Sequence, residues 1–184
     1  LIMCEGQTEK NYFQAIKEDE DYKQFLTAID PQIISAKHPA PEHVVKEAIN
    51  RAQKANDDGN AYEQVWVVFD HDNHANRRKA YEMATSEGFN IAFSAIAFEI
   101  WFLLHFAKTA KAFQNDKQLL IELVKYYPNY HKAKQNDFAN LKDKLDLAFE
   151  NVNWLKKQFP GNNHLTDYNP WTDIDILIRQ LLEQ

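Results

Sequence analysis

Two aspartates spaced one apart, Asp70 and Asp72, follow the apolar run Val65-Trp66-Val67-Val68-Phe69. Paired carboxylates are hard oxygen donors, suited to magnesium or manganese, and magnesium keeps several waters while also taking substrate phosphates. A cation so held can polarise a phosphoryl oxygen and activate water. Glu5 closes a second apolar stretch, Leu1-Ile2-Met3-Cys4. If both stretches are parallel strands of one sheet, their carboxyl ends share an edge. Glu5, Asp70 and Asp72 then converge there as candidate metal ligands and catalytic acids. Asp-x-Asp alone is more often a turn or a cap than a metal site. The buried run before it, and Glu5 beside it, bring the metal reading level with the structural one.

Glu99 lies inside the apolar segment Phe98-Glu99-Ile100-Trp101-Phe102-Leu103-Leu104-His105-Phe106. Its structural reading is an acid at a helix N-terminus, paired with a backbone donor. Its functional reading is a fourth acid facing the same edge, free of metal and able to act as general acid or base. His105, nearly two helical turns on, is by default a packing residue and otherwise a substrate contact. His71 and His74 flank the aspartates, but with no His-x-x-x-His spacing and a single cysteine a zinc site is not indicated. Lys10, Arg77, Arg78 and Lys132 are candidates for contacting a phosphate backbone, although surface cations are ordinarily just solvated.

These residues need a scaffold. A short continuous apolar run predicts a buried parallel strand, and in open α/β sheets the ligand crevice lies outside the carboxyl ends of the strands. Strands are predicted at residues 1–4, 32–35, 65–69 and 90–94. Between them, apolar spacing predicts helices. One has Thr8 as N-cap and Tyr12, Phe13 and Ile16 on its inner face. Others run from Glu42 to Asn56 and from Asn73 to Glu87, the last closed by Gly88, and the segment at Phe98–Phe106 is a buried helix. Glu18 to Asp21 is expected to be a solvated helix end and loop. From Phe113 onward no strand is expected, only helices at Leu119–Val124, Leu141–Leu155 and Trp171–Leu182. The fold class is α/β. A parallel sheet flanked by helices over residues 1–107 carries a helical extension, 108–184, packed on it.

Composition bounds the function. Hydrophobic residues make up 45% of the 184, enough for a sizeable core. A formal net charge of -6 disfavours a general nucleic-acid coat but leaves room for a nuclease whose carboxylates are offset by metal. No apolar run is long enough for a transmembrane helix and no signal peptide is visible. With Cys4 the only cysteine, the expected compartment is the cytoplasm. No P-loop is present, so energy-coupled activity would need an ATPase partner.

Five blocks stand out in order: Cys4-Glu5-Gly6-x-Thr8-Glu9-x-x-Tyr12-Phe13, Val68-Phe69-Asp70-x-Asp72, Phe98-Glu99-x-Trp101-x-x-x-His105-Phe106, Tyr130-His131-Lys132-Ala133 and Asn169-Pro170-x-Thr172-Asp173. Together they resemble the RloB-like family, whose core is a Toprim domain. The resemblance implies a Toprim-like sheet, a strand-end Glu5 acting as general acid or base or as metal ligand, and magnesium held by Asp70 and Asp72. RloB-like proteins are associated with bacterial restriction or phage-defence loci, and a nuclease role is inferred for them. Glu9, Glu99, Trp101 and His105 match family positions to which the resemblance assigns no role. Two departures stand out: Asn73 replaces a third acid found in many relatives, and Ser94-Ala95-Ile96-Ala97 lacks the Asn-Pro that often precedes the Phe-Glu block. No tyrosine is identifiable as a topoisomerase nucleophile; Tyr12, Tyr81, Tyr126, Tyr127 and Tyr130 suit packing or substrate stacking.

Three functions compete. The leading one is a magnesium-dependent phosphodiesterase acting on DNA or RNA. The second is a receiver-like signalling module, disfavoured because no lysine can be placed at a later strand end. The third is a catalytically silent partner subunit of a defence complex, using Trp154, Phe159 and Trp171 as an interface, although aromatics at helical spacing usually pack inward.

Overall fold

The computed structural model describes residues 1–71, 76–134, 136–161 and 163–182. Side chains alternate across a strand, and here both faces are covered, so the strands are apolar throughout. Strand β1 (Ile2–Cys4) sends Ile2 and Cys4 to one face and Met3 to the other. Strand β3 (Trp66–Asp70) likewise divides Trp66 and Val68 from Val67 and Phe69. Against the Met3 face pack helix α3 (Pro41–Asp57), through Val44, Val45 and Ala48, and helix α4 (Arg77–Ser86), through Ala80 and Ala84. Against the other face pack helix α1 (Gln7–Glu18), helix α5 (Glu99–Leu104) and the helices that follow.

Strands β2 (Ile33–Ser35) and β4 (Asn90–Ala95) complete the parallel part of the sheet. A fifth strand, β5 (Trp171–Thr172), pairs antiparallel with β4, and the order is β2-β1-β3-β4-β5. The chain winds outward from β1 to β2, then returns to β3 on the other flank of β1. The switch point therefore lies between β1 and β3, where ligands bind in sheets of this order.

Several expectations need correction. Gly6, not Thr8, is the N-cap of α1; Thr8 lies in the first turn and is buried. A short helix, α2 (Lys23–Ile29), follows the acidic run. That run is not simply solvated, because Lys142 binds Asp19 at 3.0 Å and Asp21 at 2.9 Å. The chain beyond Phe113 does contain a strand. Trp171 and Thr172 join the sheet edge, where the Thr172 and Ser94 hydroxyls lie 3.0 Å apart, and the last helix, α9 (Ile174–Leu182), begins after them. A two-residue strand is too short to show alternation in a sequence. The helix expected from Leu141 to Leu155 is divided: α7 (Asp137–Leu141) and α8 (Leu145–Lys157) are joined by a 3-10 turn at Lys142–Lys144. Helix α6 (Asp116–Leu123) agrees with expectation. The first residues of the helix expected from Asn73 lie outside the described residues.

The second half of the chain packs on the first through aromatic rings. Tyr12 meets Phe98, Phe102 and Phe138 at ring distances of 5.8, 5.4 and 5.7 Å. The Trp101 indole donates to the Tyr12 hydroxyl at 2.9 Å, and Asn151 donates to the Leu104 carbonyl at 2.8 Å. Trp154 and Phe159 are half-buried against the same core, and Trp171 is half-buried against the core on the Met3 face of the sheet.

Candidate functional site

Glu5 is the first residue after β1, and Asp70 is the last of the neighbouring β3. Glu5 donates its own N–H to the Val68 carbonyl at 2.9 Å, and its carboxylate Oε2 accepts the Asp70 N–H at 2.8 Å. The two acids expected to converge are thus locked together at the switch point. Glu5 is buried and Asp70 is half-buried. Asp72 lies outside the described residues, as do Asn73 and His74.

Glu9 joins them, and sequence reasoning did not count it as a site residue. It is the third residue of α1. Its carboxylate takes the N–H groups of Glu9 and Gly6, the reach-back half of a capping box. A Cβ on residue 6 would sit 2.9 Å from Glu9 Oε2, so any other residue there would make the Glu9 carboxylate shift. Burial pushes the Glu9 pKa up to about 7; those N–H groups and Lys132 oppose the shift, and Glu99 reinforces it. A carboxyl with such a pKa can take or give a proton near neutrality. The Gly-x-x-Glu spacing before an apolar helix was the available signal.

Glu99 opens α5 and is 1% exposed. Side chains from elsewhere in the chain reach its carboxylate. The Tyr130 hydroxyl donates to Glu99 Oε1 at 2.8 Å, and Lys132 Nζ lies 3.5 Å from the same oxygen. Both partners come from the loop after α6, which reaches back over the sheet edge and is tied to α1 where Asn11 donates to the Ala133 carbonyl at 3.1 Å. Burial opposes the Lys132 charge, but Glu99, Asp70 and Glu9 together raise its pKa. Burial, then Glu99, raises that of Tyr130. Glu9, Asp70, Glu99 and Lys132 therefore form one electrostatic group, and Glu5 is bonded to Asp70.

The remaining expected contacts have the following surroundings. Lys10 is half-buried on the second turn of α1. Arg77 donates from Nε to the Thr166 carbonyl at 3.1 Å and lies 4.0 Å from Asp167, which gives it a structural task. Arg78 is exposed, 3.6 Å from Glu82. His105 is wholly buried in the core: its Nδ1 lies 2.9 Å from the Trp101 carbonyl, its ring packs edge-on to Trp101, and burial brings its pKa down to about 4. A 460 Å³ cavity lined by Leu1, Tyr62, Trp66 and Leu177 opens at the amino edge, away from the acids.

Glu5 and Asp70 are oxygen donors of the kind magnesium or manganese takes. Among the described residues no three His, Cys, Asp or Glu side chains are grouped to hold a metal ion. The expected third ligand, Asp72, is outside them, so the donor chemistry fits while the full ligand set is not described.

A mostly parallel α/β sheet with a glutamate after β1 and an aspartate ending β3 is consistent with a Toprim-like fold. The chain belongs to the RloB-like family: the family model described as RloB-like protein matches residues 1–181. Comparison with curated proteins and with solved structures gave no match. Among the described residues, no helix is long and apolar enough to cross a membrane.

Proposed function

We propose that the protein is a metal-dependent phosphodiesterase that hydrolyses DNA or RNA, in the service of bacterial phage defence. The observation that carries this reading is the pairing of Glu5 with Asp70 at the switch point, beside Glu9, Glu99 and Lys132. The defence role rests on family membership.

Magnesium or manganese bound by Glu5, Asp70 and Asp72 would supply positive charge against the phosphoryl oxygens and favour ionisation of water. The chain's own groups do the rest. Lys132, held protonated by three acids and with its side chain 53% exposed, faces a non-bridging phosphoryl oxygen and offsets its charge. Glu9 holds the mobile proton. Ionised, it takes a proton from the attacking water; the water oxygen forms the new bond to phosphorus, the bond to the leaving sugar oxygen breaks, and that oxygen takes a proton from solvent while Glu9 releases its own. Glu99 and Tyr130 fix the position of Lys132. Energy-coupled activity would require a separate ATPase.

The receiver-like reading loses support in this fold, because β5 runs antiparallel and ends in Thr172, followed by Asp173 rather than a lysine. The proposal is tested by incubating the protein with labelled single- and double-stranded DNA and RNA in magnesium or manganese. Cleavage should occur with at least one substrate and vanish in Asp70→Ala. Undiminished cleavage by that variant would overturn the site assignment.

A further inference from the structure

Away from the acids, the chain of net charge -6 carries a basic groove of about 580 Å³. Lys37 and His38 enter it from the loop after β2, and His43, Lys46, Arg51 and Lys54 from α3. All but Arg51 are exposed. The lining includes a single acid, Glu47, and its charge is already engaged: it takes the Lys37 N–H at 3.0 Å and the Arg51 guanidinium at 3.1 and 3.2 Å. Lys46 shares Glu42 with Lys79, at 3.6 and 3.2 Å, and among the described residues Lys54 makes no ion pair. The groove therefore keeps an excess of positive charge.

Its position gives it an occupant. The Ala36 N–H donates to the Cys4 carbonyl at 2.8 Å, so Lys37 and His38 leave the sheet on the same edge as Glu5. Neighbouring strands are about 4.8 Å apart, which puts the groove mouth one strand from the site. His43, in the first turn of α3, stands at that mouth with its ring 5.4 Å from that of His38. Helix α3 then runs away from the edge, with Lys46 and Lys54 further along it. From His43 to Lys54 the helix rises about 16 Å at 1.5 Å per residue. That length matches roughly five nucleotides of one strand at about 3.4 Å each.

We propose that this groove binds the phosphate backbone of the nucleic-acid strand flanking the bond to be cleaved. The choice of occupant rests on the phosphodiesterase reading. Lys37, Lys46 and Lys54 contact successive phosphates, which fixes register without reading sequence, and the exposed His38 and His43 rings offer faces on which a base can stack. The arrangement resolves the apparent conflict of an acidic protein acting on a polyanion: the acids and the mouth of the basic groove adjoin at one sheet edge, and the cations continue along α3 away from the acids.

The test is binding of a fluorescein-labelled 20-nucleotide strand and its duplex in EDTA, across a salt titration, by the full chain and by two triple variants. Lys37→Ala/Lys46→Ala/Lys54→Ala should weaken binding and reduce the slope of log K against log salt by about three on duplex and about two on the single strand. Lys117→Ala/Lys125→Ala/Lys157→Ala, a matched loss of charge on the helical extension, should change either slope by less than about one. Equal behaviour of the two variants, or no binding by the unaltered protein, would overturn the groove assignment. Groove-dependent binding without cleavage in any metal would overturn the phosphodiesterase reading while supporting the groove.

Discussion

Two regions of this molecule bury polar groups, and they do so on opposite principles. In the core behind α5, the polar contacts are between neutral groups: the Trp101 indole binds the Tyr12 hydroxyl, and His105 Nδ1 lies against the Trp101 carbonyl while its buried Nε2 has no hydrogen-bond partner among the described residues, with burial keeping the ring neutral. At the carboxyl edge, Glu5, Glu9 and Glu99 are each under 10% exposed, Asp70 is half-buried beside them, and Lys132 faces the group. Neutral hydrogen-bonded pairs add to packing at little electrostatic cost. Gathered carboxylates repel one another and lose hydration, which stability alone does not favour and a functional site does. The difference separates structural polar residues from chemical ones within one family block, since Glu99 and His105 stand in the same segment and face different regions.

The comparison breaks hardest at Trp101. Trp101→Ala opens a cavity in the aromatic core and should cost about 3–5 kcal/mol in denaturant unfolding, whereas replacing an edge glutamate by glutamine, which removes the charge and keeps an acceptor oxygen for the buried donors, should leave stability equal or higher. A loss of similar size at both places would erase the distinction.

The next effect is in pH. The His105 pKa is depressed in the folded chain, to about 4 from 6.5, so its stabilising contribution is present above pH 6.5 and lost as pH falls toward 4. The Glu9 pKa is raised, from 4.5 to about 7, so its contribution is present below pH 4.5 and lost as pH rises through 7. Each contribution is worth about 3 kcal/mol at most. Between pH 4.5 and 6.5 the two slopes oppose and nearly cancel. In Glu9→Gln the His105 slope should emerge, with stability rising as pH rises. In His105→Leu the Glu9 slope should emerge, with stability falling. Two variants with the same sign of slope would contradict the assignments.

The effect on rate, rather than on stability, is the informative one for chemistry. Glu9→Gln removes the proton carrier while keeping the carbonyl oxygen that takes the Gly6 N–H. Cleavage should fall by about 10²–10⁴-fold, and the dependence of rate on pH near 7 should flatten. A rate within tenfold of the unaltered protein would place the mobile proton elsewhere.

Much of this was legible in the sequence, for definite reasons. Val65 to Phe69 is buried on both faces and so shows as an unbroken apolar run, and parallel pairing then obliges Glu5 and Asp70 to meet. Strand β5 was not legible, because Trp171 and Thr172 gain strand geometry only from the β4 edge. The roles of Tyr130 and Lys132 could not be derived from spacing, since they reach Glu99 through a loop whose path is set by tertiary packing. Glu9 lies in the first turn of α1, where the helix dipole favours an acid. Its second role depends on burial beneath that loop and on proximity to Glu99, which local pattern does not carry.

The most direct measurement of the central claim is the cleavage of labelled nucleic acid in magnesium or manganese by the unaltered protein, Glu5→Gln and Asp70→Ala, with folding checked by circular dichroism. The account predicts metal-dependent cleavage by the first and background rates for both variants, all three chains remaining folded. Cleavage that persists in folded Asp70→Ala would contradict it.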